Sequence, residues 1–286
     1  MSEGVIPRIL VFDSGIGGLS VAACVHDKLP DASIIYLADN AAFPYGDQPG
    51  SVVIDRCCTL IAAALEQFPC DVVVIACNTA STVALPRLRS ISDVPVVGVV
   101  PAVKPAAAQT LNNRIGLLAT PATIRRPYLD QLVRDFASGC QVERVGHPGL
   151  VQWAENLVRG IPVPQGDLDV AVAGLRNAGV DTVVLGCTHY PLLLDSLKRS
   201  LPDVKFWVDS GEAIARRVSS LIATAGHSVE AAGCAGEPEA MALFSGRAPE
   251  GIVDFMTAQG LEPPEIKENW PENSSDSDRG SLNIPG

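Results

Sequence analysis

The 286-residue chain is short of positive charge: 21 Lys and Arg stand against 32 Asp and Glu, a formal net charge of −11. A nucleic-acid surface needs a basic stripe to displace counterions from phosphates, so no nucleic acid is expected as partner or substrate. Long apolar runs are missing too. The opening residues hold no basic segment followed by an apolar one, and later apolar stretches are broken by Gly, Pro, Asp or Asn. Neither a secretory signal nor a membrane span is expected, and the expected compartment is the cytoplasm, where thiols stay reduced. The eight cysteines never form a CxxC pair and the four histidines are scattered, a spacing that predicts no metal site. The GxGxxG fingerprint and a P-loop lysine are absent as well, and no nucleotide cofactor is expected.

What the chain does have is 47% hydrophobic residues, enough for a substantial core. The recurring unit is a short β-branched apolar run, a turn of small and polar residues, and a helical stretch. This predicts an α/β fold with mostly parallel sheets. Strands are expected at 9–12, 33–37, 72–76, 94–99, 114–118, 141–145, 182–185 and 205–208, each continuously apolar as burial on both faces demands. Residues 51–68 predict an amphipathic helix with Ser51 as N-cap and Ile54, Cys57, Cys58, Ile61, Leu65 and Phe68 on the inner face. Cys57 and Cys58 are then core residues, as free cysteines usually are, and Cys24 and Cys140 read the same way. Cys70 and Cys234 have no His or acidic partner nearby in sequence and receive no chemical role. The Pro-containing, Ser/Asp/Asn-rich end buries little, and 269–286 is expected to be a disordered tail.

The chain echoes itself. DVVVIACNTAS, from residue 71, returns as DTVVLGCTHYP from 181, and RILVFDSGIGG, from residue 8, has a counterpart in RIGLLATPATI from 114. Nearly equal offsets predict two related α/β halves, pseudo-symmetric lobes with a cleft between them. Ligands in such folds bind beyond the carboxyl ends of the strands. The residues there are Asp13 and Ser14; Cys77, Asn78 and Thr79; Thr120 and Thr123; and Cys187, Thr188 and His189. A cysteine at the end of a buried strand usually packs. Two at equivalent places, each followed by polar side chains that a core would reject, suggest chemistry instead.

If the lobes face each other, the two thiols approach one ligand from opposite sides, the arrangement needed to invert a carbon by removing a proton from one face and returning one to the other. A thiol with an ordinary pKa of about 8.5 can serve as base and, once protonated, as acid. One thiol should rest charged and one neutral. The glycines of Gly15-Ile16-Gly17-Gly18 fit close approach of backbone amides to a carboxylate. His189, two residues from Cys187, is a candidate to contact substrate or tune the thiol, whereas His26, His147 and His227 have no comparable context.

The strings VFDSGIGGLSV (11–21), FPYG (43–46), ACNTAS (76–81) and LGCTHYPLL (185–193) resemble, in order and spacing, the signature segments of bacterial glutamate racemases, over about residues 8–218. The resemblance implies cofactor-independent, metal-free interconversion of L- and D-glutamate, with D-glutamate feeding peptidoglycan synthesis. It implies that Cys77 deprotonates D-glutamate and Cys187 L-glutamate. Asp13, Ser14, Pro44, Tyr45, Gly46, Asn78, Thr79, Thr188 and His189 would hold the substrate. Asp13 beside Cys77 and His189 beside Cys187 would assist proton transfer, with Glu155 a further candidate on the second side. It also implies a homodimer, and a chain divided into a first lobe of 1–98 with 209–268 and a second of 99–208.

Two departures stand out. Where the family usually has Thr-x-Gly-Thr this chain reads Thr120-Pro121-Ala122-Thr123, and losing the glycine is expected to shift that loop. Few residues precede the first strand, so activation of the kind associated with an N-terminal extension is not expected. Rival readings are a racemase or isomerase of the same superfamily acting on aspartate, a hydantoin or maleate, and a non-catalytic amino-acid-binding protein. His189 and the FPYG segment speak against the first, and the paired thiols against the second.

Overall fold

The structure, a computed structural model, describes residues 6–225, 240–261 and 265–271. Cys234, His227 and most of the expected tail, 272–286, lie outside these residues. The strands are β1 (Arg8–Asp13), β2 (Ser33–Ala38), β3 (Val72–Ile75), β4 (Val96–Gly98), β5 (Arg114–Leu118), β6 (Gln141–Val145), β7 (Thr182–Leu185), β8 (Phe206–Val208), β9 (Met241–Phe244) and β10 (Glu265–Lys267). The helices are α1 (Leu19–Lys28), α2 (Gly50–Gln67), α3 (Asn78–Val83), α4 (Leu85–Ile91), α5 (Val103–Gln109), α6 (Pro121–Ile124), α7 (Pro127–Phe136), α8 (Gly149–Leu157), α9 (Gln165–Ala171), α10 (Ala173–Asn177), α11 (Leu194–Ser200), α12 (Gly211–Thr224) and α13 (Ile252–Ala258).

The strands form two wholly parallel sheets, in the orders β10-β9-β2-β1-β3-β4 and β6-β5-β7-β8. The run β2-β1-β3-β4 of one is matched position for position by β6-β5-β7-β8 of the other, as the sequence echo predicts. Alternate residues of each inner strand feed different cores. Ile9 and Val11 join α1 and α12 on one face, while Leu10 and Phe12 join α2 and α3 on the other. Burial on both faces is why these strands read as unbroken apolar runs. The aspartates that open the echo anchor the strands: Asp71 accepts the Arg8 N–H at 2.8 Å, and Asp181 accepts those of Leu111 and Asn112 at 2.7 and 2.9 Å. None of the described helices is long and apolar enough to cross a membrane.

The structure corrects several expectations. Pro49, not Ser51, is the N-cap of α2. The buried line on that helix is Val53, Cys57, Leu60, Ile61 and Ala64, turned from the predicted stripe because the small Ala64, rather than Leu65, meets the sheet. Cys58 is half-buried at the margin. β9 and β10 were not expected: Met-Ala-Leu-Phe holds no β-branched residue, and β10 is a three-residue edge strand. The tail boundary also moves, since Trp270 is buried, its N–H bonds Phe244 O at 2.9 Å and its indole bonds Gln67 at 3.0 Å.

One buried carboxylate ties the first sheet's edge to its helices. Asp39, fully buried just after β2, accepts hydrogen bonds from Tyr45 Oη, Arg56 Nε and Nη2, and Ser245 Oγ. Burial alone would raise its pKa, but these hydrogen bonds and the Arg56 charge hold it below the usual carboxylate range. The linkage sign follows. A depressed pKa contributes stability above the ordinary carboxylate range, and that contribution is lost as pH falls through the folded-state value. Asp39→Asn should therefore cost about 2 kcal/mol at neutral pH, and the gap to the parent, read by urea denaturation, should close as pH falls below about 4. A gap unchanged with pH would show that the charge contributes nothing.

Candidate active site

In each sheet the chain reverses direction about its first strand: β2 lies on one side of β1 and β3 on the other, and β6 and β7 flank β5 likewise. Such reversals open a crevice at the carboxyl ends of the strands. Asp13 and Ser14 leave β1 there and Cys77 follows β3; Thr120 follows β5 and Cys187 follows β7. All four crevice edges meet in a cavity of about 320 Å³ between the sheets. Of the residues singled out from the sequence, all line this cavity except Asp13, Thr123 and Glu155.

On the first side Cys77 is the N-cap of α3, its sulfur accepting the Ala80 N–H at 3.5 Å. Ser14 Oγ lies 3.7 Å from that sulfur and donates to Asp13 Oδ1 at 3.3 Å. Asp13 thus reaches Cys77 through Ser14. Burial, reinforced by the Asp13 charge, pushes the Cys77 thiol up to about 12, so it is neutral at pH 7. Asp13 is fully buried, and burial raises its pKa despite the charge of His189 and hydrogen bonds from Thr188 and Gly15.

On the second side His189 Nδ1 lies 3.6 Å from Cys187 Sγ, and its Nε2 lies 2.6 Å from Glu155 Oε1 on α8. Burial pulls the imidazole pKa down, but its hydrogen bonds to Cys187 and Glu155 and their charges outweigh this and raise it well above the ordinary value. Glu155 sits behind His189, outside the cavity wall. The same Oε1 accepts the Ile16 N–H at 2.8 Å. The carboxylate that the glycine loop embraces is therefore the protein's own. The glycines answer to that approach: a Cβ on Gly15 would lie 2.2 Å from Glu155 Oε1, and one on Gly17 2.4 Å from the His189 ring.

The two sides are cross-tied. Thr188 Oγ1 donates to Asp13 Oδ2 at 2.8 Å, Ser20 Oγ to Thr188 O at 2.9 Å, and Asn78 Nδ2 to Gly186 O. Asn78 Oδ1, buried at the cavity, has no hydrogen-bond partner among the described residues. It is an acceptor open to a ligand's N–H. Tyr45 lines the cavity, but its hydroxyl is committed to Asp39. Thr123 does not reach the cavity: it pairs with Thr120, whose hydroxyl accepts the Thr123 N–H at 3.2 Å and caps α6. Ala122 sits within α6, so an ordinary helical backbone replaces the expected glycine and Thr120 still faces the cavity.

Sequence reading missed Phe43, whose ring centroid lies 5.8 Å from that of His189, and Val151 and Gln152 of α8, which close the cavity wall. Phe43 stood inside a motif already singled out. The α8 pair carried no signal, because a helix side chain beside a distant strand end is a tertiary fact. Asp39 had one, an aspartate directly after a strand, but its partner Arg56 is 17 positions on. Among the described residues no group of three or more His, Cys, Asp or Glu side chains converges as a metal site.

Comparison with known proteins places this geometry. Residues 19–218 match the Asp/Glu/Hydantoin racemase family. A glutamate racemase of Shewanella woodyi is 44% identical over 88% of this chain and 95% of its own length, and one of Aliivibrio fischeri is 52% identical over 75% and 81%. The crystal structure of Escherichia coli glutamate racemase, in complex with L-glutamate and the activator UDP-MurNAc-Ala, aligns with a TM-score of 0.84 at 42% identity, covering 92% of this chain and 99% of that one. A glutamate racemase isoform of Bacillus anthracis aligns at 0.76 with 29% identity, covering 92% and 97%. The chain belongs to the Asp/Glu/Hydantoin racemase family, among its glutamate racemases.

Proposed function

We propose that this racemase interconverts L- and D-glutamate by a two-base mechanism in which Cys77 and Cys187 serve opposite faces of the α-carbon. The observation that carries it is the presence of both thiols on one cavity, each with its own chain of polar side chains behind it: Ser14 and Asp13 behind Cys77, His189 and Glu155 behind Cys187. Because burial keeps Cys77 a thiol, the empty enzyme is ready to give a proton on that side. Cys187 then takes the α-proton of L-glutamate and Cys77 protonates the opposite face, yielding D-glutamate. In the reverse direction Cys77 must first lose its proton. The Ser14–Asp13 path accepts it, and a carboxyl whose pKa is raised by burial is the better acceptor near neutral pH.

Asn78 Oδ1 accepts from the substrate ammonium, while Ser14, Thr79, Thr120, Thr188 and the loop of Pro44, Tyr45 and Gly46 complete the enclosure of the two carboxylates. The cationic His189 offsets their charge. The division of the chain into 1–98 with 209–268 and 99–208 belongs to this reading, since it gives each lobe one cavity-lining cysteine and one sheet. So do a cytoplasmic location, a homodimer and a role in supplying D-glutamate for peptidoglycan, which the resemblance to glutamate racemases implies.

The test is the loss of circular dichroism of pure L- and, separately, D-glutamate. The parent should racemise both without added cofactor or metal. Cys77→Ser and Cys187→Ser should each lower kcat in both directions by about 10²- to 10⁴-fold. Activity surviving either substitution would contradict the two-thiol mechanism, and decay with aspartate but not glutamate would reassign the substrate.

A further inference from the structure

The loop that meets Glu155 is held from its other side as well. Tyr36, on β2, is fully buried, and its hydroxyl donates to the carbonyl of Gly15 at 2.6 Å. The next amide along, Ile16 N–H, donates to Glu155 Oε1 at 2.8 Å. Gly15 C=O and Ile16 N–H are the two ends of one peptide unit. A trans peptide is planar, its carbonyl and its N–H pointing in opposite directions, so whatever fixes the carbonyl aims the N–H. Glycine on the preceding side leaves this unit freer to rotate than any other residue would. Yet glycine is required there, because a Cβ on Gly15 would lie 2.2 Å from Glu155 Oε1 and 3.0 Å from the Phe43 ring. The close approach of Glu155 thus demands a residue that does not restrain its own peptide, and the hydroxyl from β2 supplies the restraint.

We propose that Tyr36 is a positioning residue for the second thiol: by holding the Gly15 carbonyl it aims the Ile16 N–H at Glu155, which in turn fixes His189 against Cys187. Each link is a contact in the structure. From Glu155 Oε1 the line continues to His189 Nε2 at 2.6 Å, and from His189 Nδ1 to Cys187 Sγ at 3.6 Å. The core itself asks only for the ring, which packs with Ile9 and Val11 in the cluster of α1 and α12, and phenylalanine would fill that space. The repeat points the same way. Tyr36 lies opposite Val11, and in the second half Arg144 lies opposite Leu117, the positions that the echo equates. Arg144 turns away to Asp130, and that half has no glycine loop, α6 following β5 almost at once. The hydroxyl occurs only in the half whose loop needs holding.

The inference rests on the two-thiol reading above, but its decisive measurement does not need turnover. In full-length protein labelled with ¹⁵N-histidine, the His189 signal, assigned by its absence in His189→Gln, should titrate above the ordinary histidine range. In Tyr36→Phe the midpoint should move down by roughly half to one pH unit, as expected for loosening one hydrogen bond between charged groups. The charged groups that face the imidazole, Glu155, Cys187 and Asp13, are all kept in that variant, so the change reports their placement. An ester in place of the 15–16 peptide bond, made with the α-hydroxy counterpart of Ile16, deletes the N–H alone, leaves Tyr36 untouched and should lower the midpoint likewise. A midpoint unmoved in both proteins would leave Tyr36 a packing residue. A midpoint that rises would show that the Ile16 amide only competes with the imidazole for the carboxylate, and either result would overturn the proposal. A downward move in a protein that does not racemise glutamate would preserve this inference and sink the functional reading instead.

Discussion

A single oxygen, Glu155 Oε1, holds the site together. It receives the Ile16 N–H from the loop after β1 and meets His189 Nε2 from the turn after β7. It thereby joins the two halves of the cleft and sets the far nitrogen of the imidazole against Cys187. The glycines at 15 and 17 exist because this carboxylate and this ring come so close that no Cβ fits. Glu155 is partly buried, its side chain 15% exposed, and the two partners of Oε1 offset part of the cost of taking a carboxylate out of water. The second tie, Thr188 to Asp13, runs the other way: a residue of the second half orients the carboxylate that serves the first thiol. Each relay is thus held in place by the opposite half, and assembly of the cleft and assembly of the chemistry are one event.

The pseudo-symmetry is of backbone, not of side chains. The strand orders repeat, the cysteines fall at equivalent positions, and both crevices open toward one cavity. The environments differ: a serine–aspartate path behind one thiol, a histidine–glutamate path behind the other. A reaction that treats mirror-image substrates alike overall can still assign different proton carriers to its two faces. Equality of the enantiomers constrains only the sum of the steps.

Much of this was legible in the sequence, for identifiable reasons. Parallel strands buried on both faces leave unbroken apolar runs, so the inner strands β1, β2, β3, β5 and β7 and the echo between them stood out. Residues at strand ends carry the site in such folds, and that rule found Ser14, Cys77, Asn78, Thr120, Cys187, Thr188 and His189. It failed for Thr123, which turns inward to pair with Thr120. β10 was silent because an edge strand needs neither length nor β-branching, and β9 because Met-Ala-Leu-Phe carries no β-branched residue. Asp39 with Arg56, Phe43 against His189, and Gln152 were silent because their meaning lies in partners brought by tertiary packing. The glycine loop was read as fitting close approach of backbone amides to a carboxylate; the carboxylate that the Ile16 N–H meets is that of Glu155 in the same chain.

The central claim is that two different groups handle the proton on the two faces of the α-carbon. The most direct test is racemisation of L-glutamate in D₂O, stopped while little product has formed, with mass analysis of both enantiomers. Two thiols acting in turn predict deuterium at the α-carbon of the D-glutamate formed and protium retained in the remaining L-glutamate. Deuterium entering the unreacted L-glutamate as fast as product appears, or product that keeps its original protium, would mean that one group visits both faces and would contradict the account.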